Sequence, residues 1–138
     1  MNFETENRRM TLDGIPKALA AVCHLKSSST EESNPYFSAA HALCRTLDVR
    51  DNEITTGQTL LFTRSIRDSF KCLLLERDPV ALLLLYLWYR KARRSIWWIE
   101  LRARVEFPSI CSYLQLYHKR KAAVQAFLPG GAFANIWK

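Results

Sequence analysis

Apolar positions recur along this chain with the period of a helix, not of a strand. In "DGIPKALAAVCHLK", Ile15, Ala18, Leu19, Val22 and Leu25 share one helical face. Pro16 suits a first-turn position, where its missing N–H costs nothing. "NPYFSAAHALCRTLDV" repeats the design. Asn34 is the expected cap, Pro35 the expected opening residue, and Tyr36, Ala40, Leu43 and Leu47 form the stripe. The segment "QTLLFTRSIRDSFKCLLLE" reads as one helix, with Phe62, Ile66, Phe70, Leu73 and Leu74 inward and Arg64, Arg67 and Asp68 opposite.

Asp78 and Pro79 give the cap-plus-proline start again and open the unbroken apolar run Val80 to Tyr89. After the basic turn, Ser95 is the expected cap of a helix through "IWWIELRARVEF". Pro108 is expected to kink or end that helix, because the residue before a proline avoids the α region. A last helix is expected over "SICSYLQLYHKRKAAVQAFL", with Ile110, Leu114, Tyr117, Val124 and Leu128 on its apolar side. "PGG" stops it, and "AFANIWK" reads as a tail that docks back. The expectation is an all-α fold, a single irregular helical domain of about six helices over 13–138, behind a loose arm at 1–12 and with a polar linker at 27–33.

Composition agrees with that pattern. Nineteen leucines and 14 alanines stand against 5 valines and 7 isoleucines, a balance that favours helix. The 138 residues suffice for one domain with a core. The run Val80–Tyr89 is half the roughly 20 residues that a membrane-spanning helix needs. Charged residues bound it on both sides, so no membrane span is expected. An all-round apolar helix belongs instead among other helices, and it wants more neighbours than a few short helices readily supply.

The net charge of +7 is unevenly placed. Residues 1–70 sum to −1 and residues 71–138 to +8. A basic half can steer toward nucleic acid, anionic lipid or an acidic partner. Two clusters concentrate it, "RKARR" and "HKRK". Arg90, Lys91, Arg93 and Arg94 sit where cations favour a helix C-terminus. The same four residues are the candidate nuclear-import or phosphate patch.

Chemistry is sparse. There is no glycine-rich phosphate loop, nucleophile elbow or paired-carboxylate motif, so no enzyme is expected. Cys23, Cys44, Cys72 and Cys111 are scattered and form no CxxC pair. With the polar N-terminus "MNFETENRRM" showing no signal peptide, they read as reduced thiols of an intracellular protein. His41 and Cys44 share a helix face but make only half a ligand pair, so neither metal nor cofactor is expected. Aromatic residues are dense at Tyr86, Trp88, Tyr89, Trp97 and Trp98. Core and helix-corner packing is the first reading of them, a small-molecule pocket or partner surface at Tyr86, Tyr89, Trp97 and Trp98 the second, and a stacking surface for single-stranded nucleic acid the third.

"NPYFSAAHALCRTLDV", Asp78-Pro79, the Ala81–Tyr89 helix, the Trp97-Trp98 pair, Arg102 to Arg104, and Ile110-Cys111 with Tyr113-Leu114 together form a pattern over residues 34–120. That pattern resembles the C-terminal regulatory region of fungal zinc binuclear cluster transcription factors. The resemblance implies a nuclear, all-helical regulatory or effector domain of a metabolic or secondary-metabolite gene cluster. Its partners would be the transcription machinery or a full-length regulator, and a small-molecule effector is compatible with it. The family's DNA-binding module needs six closely spaced cysteines, which this chain lacks, so direct zinc-cluster DNA binding is not expected. Two other readings stand beside it: an independent basic helical module binding nucleic acid or anionic membrane, and a helical domain binding a sterol-like ligand.

Overall fold

Seven helices occur among the described residues: α1 (Lys17–Val22), α2 (Phe37–Leu47), α3 (Thr56–Ser65), α4 (Asp68–Leu75), α5 (Pro79–Ala92), α6 (Trp97–Tyr117) and α7 (Ala122–Gln125). The computed structural model describes residues 15–26, 28–30, 32–50, 53–93 and 97–134, without the side chains of Trp97, Trp98 and Glu100. The expected arm at 1–12, the Ser95 cap and Arg94 lie outside the described residues. No strand occurs among those described, and the all-α expectation holds.

The spine is α5. Asp78 caps it, its carboxylate accepting from Ala81 N at 3.0 Å, and Pro79 occupies the first turn. The helix packs on α2, α3, α4, α6 and α7, so the chain's own helices surround it. Val80, Ala81, Leu83, Leu84, Leu87 and Ala92 are buried, and Leu82 and Leu85 are partly so. An all-round apolar surface thus meets neighbours on every side, as such a surface requires.

α1 and α4 end in the same way. His24 (φ 57°) and Arg77 (φ 60°) adopt the left-handed conformation just past each helix. After α1, His24 N bonds Ala21 O at 3.1 Å and Leu25 N bonds Ala20 O at 2.9 Å. After α4, Arg77 N bonds Leu74 O at 3.1 Å and Asp78 N bonds Leu73 O at 2.9 Å. These paired bonds satisfy last-turn carbonyls, a geometry that glycine usually provides. Asp78 is therefore both the end of one motif and the cap of the next helix.

Five expectations about boundaries change. Asn34 does not cap α2: Tyr36 holds the N-cap position, and Asn34 Oδ1 accepts from Tyr36 N at 2.8 Å. The buried Asn34 amide instead donates to Cys23 O at 3.0 Å, tying the end of α1 to the start of α2. Pro16 likewise stands at the N-cap of α1 rather than within its first turn.

The helix expected over "QTLLFTRSIRDSFKCLLLE" is two. Its first half starts at Thr56 behind a capping box, with Gln58 N on Thr55 Oγ1 at 3.1 Å and Thr55 N on Gln58 Oε1 at 2.9 Å. It breaks at Ile66 (ψ 137°) and Arg67 (ψ 170°), with no proline or glycine at the break. Packing supplies the reason. In a continuous helix, Phe62 and Phe70 would stand about 12 Å apart along the axis. Here they meet edge to face at 6.2 Å, and Phe62 also stacks on Trp88 at 5.4 Å. Both phenylalanines are fully buried, which is worth several kcal/mol, roughly 1.5–3 each, against the few backbone bonds forgone.

Pro108 neither ends nor begins a helix. It lies inside α6, which runs 21 residues without interruption. An interior proline costs about 3 kcal/mol. The seam holding the helix together spans the proline on both sides: Ile99, Ala103 and Leu114 are buried, and Phe107 stacks on Tyr86 at 4.5 Å. The helix expected to run on to Leu128 stops at Tyr117. Gln125 of α7 folds back and donates to Leu114 O and His118 O, both at 2.9 Å, capping the end of α6.

Candidate functional site

The four aromatic residues singled out in sequence do not make an open pocket on the described side chains. Tyr86 and Tyr89 lie three residues apart on α5 and face α6. Tyr86 is stacked under Phe107 with the rings 14° from parallel, and its phenol, hydrogen-bonded with Cys111, is pushed up to about 12, chiefly by burial. Tyr89 donates to Glu106, and burial first, then that bond, raises its phenol further. Both are seam residues. The side chains of Trp97 and Trp98 lie outside those described.

The basic corner is dispersed. Lys91 is only 8% exposed and donates to Val49 O, just beyond α2. Arg90 donates to Ala134 O in the C-terminal segment. Arg93 lies over the Phe107 ring at 5.1 Å. Three cations expected on an exposed corner thus go to three different internal partners. They fasten α5 to α2, to the tail and to α6. Their cationic heads do not converge on a common phosphate.

Nucleophilic chemistry finds no support in the thiols. Burial pushes Cys23 up to about 12 and Cys44 higher still, and raises Cys111 as well, so these sulfurs stay protonated at neutral pH. Cys72 alone of the four is exposed. No group of three or more His, Cys, Asp or Glu among the described residues is placed to hold a metal ion.

The coherent surface is the outer face of α6. Leu101, Val105, Pro108, Ser112 and Leu116 recur at i, i+4, i+7, i+11 and i+15 and are all exposed. Leu101 is 53%, Val105 69% and Leu116 67% exposed, values unusual for such residues set in one line. The stripe spans about 22 Å, four turns of helix. Exposed Arg102 and Arg104 flank it at one end, and exposed Lys119, Arg120 and Lys121 follow at the other. Between Leu101 and Lys121 the sequence holds a single acidic residue, Glu106. That carboxylate is engaged by Tyr89 and by Arg102, at 3.5 Å from the latter. The face is therefore apolar along its middle and cationic at its ends.

No protein-family model, no curated protein and no solved structure matches this chain. The residues of the α6 stripe were not among those expected to act. The signal is present in the spacing of Leu101, Val105 and Leu116, but it becomes visible only when α6 is continuous through Pro108.

Proposed function

We propose that this chain is a non-catalytic regulatory domain of a nuclear transcription regulator, and that the outer face of α6 docks an acidic amphipathic helix of a protein partner. One observation carries the reading: a four-turn apolar stripe, Leu101–Val105–Pro108–Leu116, with cations at both ends. An amphipathic helix packed along such a face buries its own apolar anchors at i, i+4 and i+7 against it. Acidic side chains beside those anchors would meet Arg102 and Arg104 at one end and the Lys119–Lys121 cluster at the other. The regulatory part of the reading rests on the resemblance of residues 34–120 to fungal zinc-cluster regulators.

The test is a tethering assay. The chain is fused to a heterologous DNA-binding domain upstream of a reporter in a fungal host. The fusion is expected to change reporter output, and Leu101→Ser with Val105→Ser is expected to abolish the change at equal protein level. A fusion without effect, or an effect untouched by the two substitutions, contradicts the proposal.

A further inference from the structure

A second face of α6 lies beside the apolar stripe, at the end of the helix. Tyr113 and Tyr117 each follow a stripe position by one residue, which places them about 100° further round the helix. Their rings meet at 5.0 Å, tilted by 38°. Tyr113 is the inner member of the pair. Arg77, in the left-handed turn after α4, lies over its ring at 5.7 Å, and the His118 ring stands 5.6 Å from it. Tyr117 is the outer member and is 68% exposed. Lys119, Arg120 and Lys121, all exposed, follow directly where α6 ends and the chain turns into α7. No Asp or Glu occurs from Phe107 to Lys138. An exposed ring, backed by a second ring, is thus bordered by three consecutive cations with no carboxylate in the same segment.

We propose that this end of α6 binds single-stranded nucleic acid, with a base stacked on Tyr117 and backbone phosphates on Lys119, Arg120 and Lys121. A base offers a flat π face, which an exposed tyrosine matches and an aliphatic stripe does not. Tyr113 backs the Tyr117 ring, so less side-chain freedom is lost when a base stacks on it. The run of cations tracks a run of phosphates, and the absence of acidic residues leaves their attraction undiminished within the segment. Tyr86 and Tyr89 cannot serve in this way, because both are buried in the seam between α5 and α6. Stacking also calls for unpaired bases, since a duplex covers their faces. The proposal goes beyond the docking of a partner helix. The two share the cluster Lys119–Lys121, but Tyr117 lies off the stripe and the stripe plays no part in stacking.

Fluorescence anisotropy of a labelled single strand of about twelve thymidines, titrated with the full chain over a series of salt concentrations, tests it. Saturable binding is expected at low salt, with log affinity falling against log salt at a slope of about −2, as three phosphate contacts give. Lys119→Gln with Arg120→Gln should flatten that slope by about 1.4. Tyr117→Ala should weaken binding at least about fivefold and leave the slope unchanged, because stacking releases no counterions. On a duplex of the same length, Tyr117→Ala should change nothing. Leu101→Ser with Val105→Ser should leave single-strand binding intact, so failure of the partner-helix reading and failure of this one are told apart. No saturation at low salt overturns the proposal. So does single-strand binding indifferent to Tyr117→Ala, which would be attraction of a polyanion by charge alone, or an equal effect of that variant on the duplex.

Discussion

Tyr36 donates its phenolic hydrogen to Asp78 Oδ2 at 2.8 Å, joining the N-cap of α2 to the cap of α5. The same carboxylate accepts from Ala81 N. One side chain therefore caps the central helix and holds a second helix against it. Tyr36→Phe is expected to cost about 1 kcal/mol and Asp78→Ala about 1–3 kcal/mol in urea unfolding. In a double-mutant cycle the two should couple by about 0.5–1.5 kcal/mol. Strict additivity would show that the bond contributes nothing in solution.

The left-handed residues offer the opposite sign. For a side chain with a Cβ, this conformation costs roughly 1–2 kcal/mol, and glycine avoids the cost. His24→Gly should raise stability by about 0.5–1 kcal/mol after the entropy of the freer unfolded chain is counted. Arg77→Gly should gain less. Its guanidinium lies over the Tyr113 ring at 5.7 Å, a contact worth about 0.5–1 kcal/mol at an exposed site. Thermal melts of the two variants check both the sign and the order.

Alkaline pH should loosen the fold. Cys23 rises from 9.0 to about 12 on burial, and Cys44, Tyr36 and Tyr89 are raised too. Between pH 9 and 12 the unfolded chain has lost thiol protons that the folded chain retains. Fewer protons bound to the unfolded state means that unfolding free energy falls as pH rises through this window. Stability should be flat from pH 7 to 8 and decline above 9. Cys23→Ala with Cys44→Ala should show a shallower decline. A thiol reagent at pH 8 should modify Cys72 in the native protein, and Cys23 and Cys44 only after denaturation.

Gly131 tests the turn after α7. A Cβ there would stand 2.4 Å from Ala126 O and 2.5 Å from Gln125 O, backbone atoms that cannot swing aside. Gly130 has φ 88° but open space around it. Gly131→Ala should therefore cost at least about 2 kcal/mol, and Gly130→Ala roughly 1 kcal/mol for the backbone alone. Equal melting temperatures for the two variants would contradict this reading of the turn.

Legibility in the sequence followed how local the deciding interaction was. The start of α5 is written in Asp78-Pro79, and its place at the centre in the run from Val80 to Tyr89. The break at Ile66 carries no such sign, because it is decided by Phe62, Phe70 and Trp88 meeting from three different helices. Pro108 is the converse case: a strong local signal for a break is overruled by the packing of Ile99, Ala103, Phe107 and Leu114 along one seam. That reversal hid the α6 stripe, since Leu101 and Leu116 fell in separate expected helices. Lys91 read as an exposed cation because a basic run after an apolar helix normally is one. Its burial against Val49 O depends on where α2 ends, which no short stretch of sequence discloses.

The α6 face remains the centre of the account. Its most direct measurement is fluorescence anisotropy of a labelled acidic amphipathic peptide of about four helical turns, titrated with the full chain. The variant Leu101→Ser, Val105→Ser, Leu116→Ser is expected to keep its fold, with circular dichroism as the check, since these side chains are exposed and such changes usually cost under about 0.5 kcal/mol each. The account predicts saturable micromolar binding by the wild-type chain, weakened at least about tenfold in the triple variant and by added salt. Equal affinity in the variant would contradict it, as would no peptide binding alongside stripe-dependent binding to anionic vesicles.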